Sequence, residues 1–323
     1  MKALVVTNLY PTAARPTFGI FVARQVDALR RIGIEVEVEV IAADRGRADY
    51  LRGRKRVAQR IAHWRPALLH AHFGYTPAAC VGQGVPFIVT LHGDDINGAS
   101  DGRGGITLKS RIGVLATLAL CRRARMVICQ NERMAARVSK WSKAPTTVLP
   151  MGVDEREFSP GPREIARRRV GVPDEGLVVC FVNSGRQATK RIDLAQATIR
   201  VLASRGVDAT FLVADGVPAG EMVAYYRAAD CLLMTSDSEG SPMCVKEALA
   251  CGTPVVGVAV GDLPELLAHS AMGIVAPRDA ERLADAVIQV TGRPRSPVSL
   301  LPAELGALQS AQRIAAIYAD VAE

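Results

Sequence analysis

Short apolar runs alternate with segments of helical periodicity along the whole chain. Runs rich in Val, Ile and Leu are typical of buried strands, whereas apolar positions that recur every three or four residues are typical of helices. The alternation predicts βαβ units, with a parallel sheet in each half of the chain. The predicted strands are residues 3–7, 35–42, 68–71, 87–91, 126–129, 147–149, 178–182, 209–213, 231–235, 255–258 and 273–275. The predicted helices include residues 21–32, 192–204, 221–229, 242–250 and 280–291.

The strand pattern stops near residues 150–154, where Pro-Met-Gly-Val-Asp opens a turn-rich linker. A chain of 323 residues is also longer than most single domains. We therefore predict an N-terminal α/β domain over residues 1–150 and a C-terminal α/β domain over residues 151–304. Residues 305–323 follow a Pro-rich stretch and have helical spacing, so we expect a helix that packs back on the N-terminal domain.

Composition argues against a membrane span, a signal peptide and a disulfide framework. The uncharged apolar run at residues 112–121 is about half of the roughly 20 residues that cross a bilayer. The first apolar run is too short for a signal peptide. The seven cysteines are odd in number and include no Cys-x-x-Cys pair, so we expect buried thiols and no zinc site. These features predict a cytoplasmic protein.

The net charge of +8 is distributed unevenly. Residues 1–150 carry 23 basic and 10 acidic side chains, whereas residues 151–323 carry 17 and 22. Residues 45–65 hold eight of the basic side chains, interleaved with apolar ones. This segment suits either peripheral contact with the anionic inner face of a membrane or a solvated helix face packed on its own domain. Nucleic acid is disfavoured because no recognised binding motif accompanies the charge.

Residues 236–247, Ser-Asp-Ser-Glu-Gly-Ser-Pro-Met-Cys-Val-Lys-Glu, follow an apolar strand and precede a helix. A strand, a Gly-containing loop and a helix with Pro near its first turn form an anion site, because free backbone N–H groups and the positive end of the helix dipole face the loop. A diphosphate fits such a site. Glu239 in the loop is placed to accept from sugar hydroxyls, and Glu247 in the helix to accept from a ribose. The alternative makes Glu239 a helix-capping acid and Glu247 a surface residue.

The same string, continued by Ala-Leu-Ala-Cys-Gly-Thr-Pro-Val-Val and by Gly-Asp-Leu-Pro-Glu at residues 261–265, resembles the donor-binding motif of family 4 retaining glycosyltransferases. The resemblance implies the α/β GT-B fold, with two facing Rossmann-like domains, parallel sheets and a central cleft. It implies that the C-terminal domain binds a nucleotide sugar, that the N-terminal domain binds the acceptor, and that no metal or other cofactor is required. By position, Glu239 resembles the acid that holds the donor sugar and Glu247 the ribose ligand. The backbone around sugar and phosphate then corresponds to Gly240, Ser241, Pro242, Met243 and Cys244.

Residues 183–193, Asn-Ser-Gly-Arg-Gln-Ala-Thr-Lys-Arg-Ile-Asp, resemble the family loop in which an Arg and a Lys hold the donor diphosphate. Such cations offset the charge that develops on the leaving group. Arg186 and Lys190 are the candidates, and the spacing is one residue shorter than the family pattern. Arg191 is therefore a candidate to share the role of Lys190.

His-Gly-Asp-Asp at residues 92–95 follows a strand and resembles the family loop that contacts the donor sugar, which makes His92 and Asp94 candidates.

The loop after the first strand resembles the family's glycine loop, which approaches the donor phosphate. Gly19 allows that approach because it has no Cβ, although a glycine at a helix N-cap explains it equally well. His70 and His72 share one face of a strand, and without a third ligand we expect core or acceptor-side packing rather than a metal pair.

The segment 215–220 is shorter than in the family, as if one strand and one helix were missing. Val217 lies there and is our candidate for seating the base, while the identity of the base stays open between uridine, guanosine and adenosine. The acceptor is equally open.

The predicted function is retaining transfer of a hexose-type sugar from a nucleotide diphosphate sugar to an acceptor hydroxyl, in cell-envelope polysaccharide or glycolipid synthesis. The alternatives are a catalytically silent nucleotide-sugar-binding protein, a tailoring glycosyltransferase of a small natural product, and an epimerase or hydrolase. An NAD-dependent oxidoreductase is disfavoured because the chain lacks Gly-x-Gly-x-x-Gly after a strand.

Overall fold

The computed structural model describes residues 1–42, 47–98, 107–183, 188–268 and 272–323. The chain forms two compact units, of which unit 1 comprises Met1–Gly152 with Ala307–Glu323 and unit 2 comprises Val153–Gly306. The chain therefore leaves unit 1 near residue 152 and re-enters it near residue 307.

Unit 1 is built on a six-stranded parallel sheet with the order β2-β1-β3-β4-β5-β6 among the described residues. Its inner strands are mostly apolar, which is expected when both faces of a parallel sheet are covered by helices, whereas the edge strand at residues 35–40 alternates Glu and Val. The strands are β1 Lys2–Thr7, β2 Glu35–Val40, β3 Leu68–His72, β4 Phe87–Thr90, β5 Met126–Cys129 and β6 Thr146–Val148.

Helices cover both faces of this sheet. The helices of the unit are α1 Ile20–Arg31, α2 Arg47–Trp64, α3 Pro77–Cys80, α4 Asp94–Asn97, α5 Leu108–Cys121, α6 Glu132–Ser142 and, at the far end of the chain, α13 Ala307–Ala322. Alternate strand residues point to opposite faces, so Leu4 and Leu69 join one apolar core while Val5 and Leu68 join the other. The first core also receives α2, α3, α5 and α6, and the second receives α1 and α13.

Unit 2 is built on a five-stranded parallel sheet with the order β11-β10-β9-β7-β8 among the described residues. Its strands are β7 Leu177–Val182, β8 Ala209–Ala214, β9 Cys231–Met234, β10 Val255–Val258 and β11 Gly273–Ala276. Its helices are α7 Arg163–Val170, α8 Ile192–Ser204, α9 Met222–Ala228, α10 Met243–Ala250, α11 Leu263–Ala268 and α12 Ala280–Thr291.

The shortened segment predicted after β8 is present. Residues 215–221, all described, form a loop and a single 3₁₀ turn at Ala219–Glu221 before α9 begins. No strand or helix of a further βα unit lies there, so β8 is the edge of the described sheet.

The basic segment at residues 45–65 forms α2 from residue 47 onward, and Arg45 lies outside the described residues. Val57 is buried in the core of unit 1, and Tyr50, Ile61 and Trp64 pack against that core. Several cations of the helix are paired with nearby carboxylates, in the ion pairs Arg52–Asp49, Arg56–Glu39 and Arg60–Glu37. Apart from the exposed Leu51, the large apolar side chains of the helix thus pack on the core, and three of its cations have carboxylate partners, which favours the interpretation of a solvated helix face.

Across the residues that the structure describes, no helix combines the length and the apolar character that crossing a bilayer requires.

Candidate functional site

In unit 2, the strands β7 and β9 lie side by side while the chain continues outward in opposite directions from them. Such a point of reversal leaves a crevice outside the carboxyl ends of the strands, where α/β proteins bind their ligands. The loops that follow β7 and β9 are the two that carry the predicted Lys190 and Glu239. Topology alone therefore places both predicted motifs at the expected ligand site of this unit.

Hydrogen bonds join these two loops. The Thr235 hydroxyl donates to the carbonyls of Lys190 and Arg191 at 2.8 and 2.9 Å, and the Asp237 N–H donates to the Thr189 carbonyl at 2.8 Å. The side chains of Lys190 and Glu239 then meet, with 2.6 Å between Nζ and Oε1. Their side chains are 16% and 15% exposed, so the ion pair is reachable by a ligand but well sheltered from solvent.

Arg191 makes different contacts from Lys190. Its guanidinium donates to both carboxylate oxygens of Asp193, at 2.9 and 2.8 Å, and to Asp237 at 3.2 Å. The hydrogen bond to Asp193 raises the pKa of Arg191 above its usual value. Arg278 also binds Asp237, at 2.9 Å. Of the two neighbouring cations, Lys190 is the one that contacts Glu239, while Arg191 fastens the loop.

Arg186, the second predicted phosphate ligand, lies outside the described residues. Val217 lies in the loop that follows the edge strand β8 and is half-buried. Because β8 pairs with β7, this loop is the neighbour of the one that carries Lys190.

Glu247 lies in α10, one turn after its first residue Met243, and is only 7% exposed. The Tyr226 hydroxyl donates to Glu247 Oε2 at 2.9 Å. Burial, and next the carboxylate itself, raise the pKa of Tyr226 well above its usual value, so the hydroxyl keeps the proton that it donates. The alternative that made Glu247 a surface residue is therefore wrong, since a buried carboxylate with a dedicated tyrosine donor is held in one orientation.

The segment from Gly240 to Cys244 leads into α10, with Pro242 as the residue before the first helical turn. Gly261 has a φ of 55°, and a Cβ there would lie 2.6 Å from the Gly240 carbonyl oxygen, so the loop after β10 packs directly on this backbone. The Ser241 hydroxyl donates to Asp262 in the same loop. Met243 and Cys244 are half-buried in the first turn, and burial raises the pKa of the Cys244 thiol to about 12, which keeps it protonated.

Lys246 is a residue that the sequence did not single out. It is fully buried in α10 beside Glu247, and burial lowers its pKa to about 8, against the opposing effect of Asp262. The available signal was a Lys-Glu pair inside the run from Val245 to Cys251, whose other residues are apolar, because a lysine is seldom buried without a charged neighbour.

Unit 1 has its own point of reversal, between β1 and β3, and the loop after the adjacent β4 carries His92. Asp95 holds this loop, since its carboxylate accepts from the backbone N–H of His92 at 3.0 Å and of Gly93 at 2.9 Å. Burial raises the pKa of Asp95 to about 6, and the two backbone hydrogen bonds oppose that effect. Asp94, the predicted site residue, is exposed. The sequence prediction thus missed the buried neighbour that shapes the turn.

The His92 ring is held by a row of buried side chains. His72 Nδ1 lies 3.1 Å from His92 Nε2, and the two rings are stacked. His70 lies between the Tyr318 hydroxyl and the Thr90 hydroxyl, with 2.7 Å to each. Both His70 and His72 are fully buried, as the core interpretation predicts. Since Tyr318 belongs to α13, this row links the end of the chain to the loop of His92.

Burial lowers the pKa of His70 to about 3 and that of His72 well below its usual value, so both are neutral when folded. In the unfolded chain these histidines take up protons below about pH 6.5. We expect the stability of unit 1 to fall as the pH falls from about 6.5 towards 3, by about 1.4 kcal/mol per pH unit from His70 alone. Urea unfolding at pH 7 and pH 5, followed by tryptophan fluorescence, measures this, because both tryptophans lie in unit 1. His70→Gln should reduce the change in the free energy of unfolding between pH 7 and pH 5. His63→Gln, on the exposed end of α2, is the control and should leave that change as in the wild type. An equal pH dependence in all three proteins contradicts the prediction.

Gly19 precedes α1 and has a φ of 69°. A Cβ at this position would lie 2.2 Å from the carbonyl carbon of Leu9, so the loop after β1 leaves room only for glycine. The requirement for glycine is therefore structural, and contact between this loop and a ligand remains a separate prediction.

Two family profiles match the chain in succession. The family described as "Glycosyltransferase Family 4" matches residues 6–157, and the family described as "Glycosyl transferases group 1" matches residues 174–292. The first match falls almost entirely within unit 1 and the second within unit 2.

Individual relatives agree with these families. The glycosyltransferase TuaC of Bacillus subtilis (strain 168), assigned to teichuronic acid biosynthesis, is 24% identical over 89% of this chain and 88% of its own. The D-inositol 3-phosphate glycosyltransferase of Geodermatophilus obscurus is 34% identical over 46% of this chain, and the match spans only 40% of that protein.

Solved structures show the same architecture over the full length. Sucrose-phosphate synthase from Thermosynechococcus elongatus has a TM-score of 0.72 and 17% identity, covering 100% of this chain and 96% of its own. Anabaena HepE, in complex with UDP and glucose, has a TM-score of 0.71 and 18% identity, covering 99% and 100%. With two parallel α/β units and a family match to each, the chain belongs to the group 1 and family 4 glycosyltransferases and has the GT-B fold.

Proposed function

We propose that this glycosyltransferase takes its sugar from a nucleoside diphosphate sugar and transfers it to an acceptor hydroxyl with retention of anomeric configuration. The observation that carries the proposal is the Lys190–Glu239 pair at the loops after β7 and β9, beside the N-terminus of α10. A cation and a helix N-terminus suit a diphosphate, and the adjacent carboxylate suits sugar hydroxyls.

The proposal assigns different side chains to the diphosphate, the sugar and the ribose of the donor. Lys190, together with Arg186, neutralises the diphosphate. Glu239 accepts from the sugar hydroxyls, and the buried Glu247, oriented by Tyr226, accepts from the ribose. Solved relatives of the same fold hold such ligands, since HepE is described in complex with UDP-glucose and starch synthase IV from Arabidopsis thaliana bound to ADP. These names leave the base of this chain's donor open.

The reaction proposed is front-face departure. The bond between the anomeric carbon and the phosphate oxygen breaks, the acceptor oxygen bonds to the same face, and the acceptor proton passes to the leaving phosphate. Lys190 and Arg186 stabilise the negative charge as it develops on that phosphate. The family resemblance assigns His92 a role at the donor sugar, and within unit 1 the His72 ring keeps the His92 ring in place. The proposal assigns no metal a part, so activity should be the same with and without EDTA.

For the acceptor, we propose a cell-envelope glycan or glycolipid precursor. The support is the match to TuaC over most of both chains, since that protein carries a teichuronic acid assignment. A small natural product is the second candidate, and an acceptor screen separates the two.

Thermal unfolding with UDP-, GDP- and ADP-sugars tests the donor class. A ligand that binds only the native state stabilises it by about 2.7 kcal/mol at a hundredfold excess over Kd, so the correct donor raises Tm and the others do not.

Glu239→Ala should abolish turnover with the stabilising donor, whereas equal inactivity of mutant and wild type would favour a silent binding protein. Proton NMR of the first product then reads the anomer, and an inverted anomer overturns the proposed mechanism.

A further inference from the structure

Helix α5 of unit 1 presents a stripe of large apolar side chains to solvent. Leu108, Ile112 and Leu115 are 74%, 50% and 61% exposed, and their spacing of four and three residues places them on one face of the helix. The opposite face, which includes Val114 and Leu118, is buried in the core. A helix of a soluble unit normally has a polar outer face, so an apolar outer face indicates a contact with another apolar phase.

The stripe continues onto the neighbouring helix α6. Trp141 is 58% exposed there, and a groove of about 730 Å³ runs between the two helices, lined on its apolar side by Leu115, Leu118 and Trp141. Four of the large apolar side chains that are exposed in the described part of the chain therefore lie on these two helices, namely Leu108, Ile112, Leu115 and Trp141.

Cations border the groove. Arg111, Arg137 and Lys140 line it, and among the described residues none of the three forms a salt bridge. Lys140 Nζ lies 5.9 Å from the centroid of the Trp141 ring. The sequence of α5 and α6 contains one acidic residue, Glu132 at the far end of α6. On α2, by contrast, Arg52, Arg56 and Arg60 have carboxylate partners, and the large apolar side chains other than Leu51 pack on the core.

We propose that this α5–α6 surface, formed by Leu108, Ile112, Leu115 and Trp141 with Arg111, Arg137 and Lys140, docks on an anionic phospholipid bilayer. The apolar side chains enter the boundary between headgroups and acyl chains, the indole lies at the interface, and the three cations face lipid phosphates. The membrane contact considered for residues 45–65 is thereby assigned to a different surface of unit 1. The inference does not depend on the proposed donor chemistry.

Flotation of the full chain with vesicles tests this surface. The probes are phosphatidylcholine vesicles with and without about 40% phosphatidylglycerol. We expect the wild type to bind the anionic vesicles, to bind neutral ones weakly and to dissociate as salt rises. The double variant Leu115→Glu, Trp141→Glu should bind at least about tenfold more weakly. Leu51→Glu is the matched control, because Leu51 is 73% exposed on α2 and should leave binding within twofold.

Three outcomes overturn the proposal. The first is wild-type protein that does not bind anionic vesicles. The second is binding that is lost with Leu51→Glu and kept in the double variant. The third is a wild-type oligomer, seen by analytical ultracentrifugation, that does not bind vesicles and that the double variant dissociates, which assigns the surface to a second copy of the chain. If the double variant does not fold by circular dichroism, Arg137→Gln with Lys140→Gln is used instead and should remove the preference for anionic vesicles.

Fluorescence gives an independent measurement. In a Trp64→Phe background Trp141 is the only tryptophan, and its emission should shift to shorter wavelength on anionic vesicles. Donor-induced stabilisation of the α5–α6 variants should equal that of the wild type, so a failure of the membrane proposal and a failure of the donor proposal are distinguishable.

Discussion

Replacing Lys190 with alanine is expected to lower kcat with the stabilising nucleotide sugar by roughly a hundredfold to a thousandfold, with a smaller effect on KM. Removing one preorganised group that stabilises developing charge typically has this effect, because the group acts mainly in the transition state. The Lys190 ammonium lies 2.6 Å from Glu239 and is 16% exposed, so its charge is little screened by solvent. Steady-state kinetics with a coupled assay for the released nucleoside diphosphate measure the change.

Arg191→Ala is the matched control for this experiment. Arg191 is adjacent in sequence and equally charged, but its guanidinium is committed to Asp193 and Asp237. We expect this variant to lose about tenfold or less, through a looser loop. Equal losses in the two variants, or a larger loss in Arg191→Ala, contradict the assignment of Lys190 as the phosphate ligand.

The partner of Lys190 gives a further measure of the same pair. Lys190→Ala and Glu239→Gln should be non-additive in a double-mutant cycle, because residues in direct contact are coupled energetically. Additive effects would show that the ion pair seen in the structure has no part in catalysis.

Ile314→Ala is expected to destabilise unit 1 by about 2–5 kcal/mol, as large-to-small changes in cores do. Ile314 is completely buried on α13, in the core shared with α1 and the sheet. A domain is stable by only about 5–15 kcal/mol, so the loss is a large fraction of the total. Urea unfolding followed by tryptophan fluorescence reports it, because both tryptophans lie in unit 1.

Gln312→Ala on the exposed side of the same helix should change the midpoint little. Removal of residues 307–323 should have the strongest effect of all, since Ala311, Ile314 and Tyr318 leave the core together. A shortened chain whose unit 1 unfolds at the wild-type urea concentration would show that α13 contributes no stability to it.

Strands were the easiest part of the fold to predict. Each predicted strand overlaps an observed one, and β5 and β10 begin and end where predicted, because buried parallel strands are short apolar runs bounded by polar turns. The loop residues Lys190 and Glu239 were predicted from their motifs and do lie together. Spacing alone left Lys190 and Arg191 as joint candidates. In the structure their contacts differ, because Lys190 binds Glu239 whereas Arg191 binds Asp193 and Asp237.

Supporting residues were beyond the sequence patterns for a physical reason. Tyr318 and His70 are 248 positions apart, and Tyr226 and Glu247 lie on different helices, so no local periodicity connects either pair. Asp94 was predicted from the sequence as a site residue instead of its neighbour Asp95. The sequence does not distinguish the two, because only the folded structure shows that the Asp95 side chain is buried and binds the backbone of the loop. Motifs indicate where chemistry occurs, whereas the side chains that orient it depend on tertiary packing.

The return of α13 to unit 1 has a consequence for synthesis. The ribosome makes residues 153–306, the whole of unit 2, before it makes the helix that completes unit 1. Until then one face of the first sheet lacks the apolar side chains of α13, which include Ile314 and Tyr318. N-terminal domains generally fold first during translation. Here, however, unit 1 is still incomplete when all residues of unit 2 have been synthesised. That exposed apolar face is where a chaperone is expected to bind the growing polypeptide, and the emergence of α13 is the step that releases it.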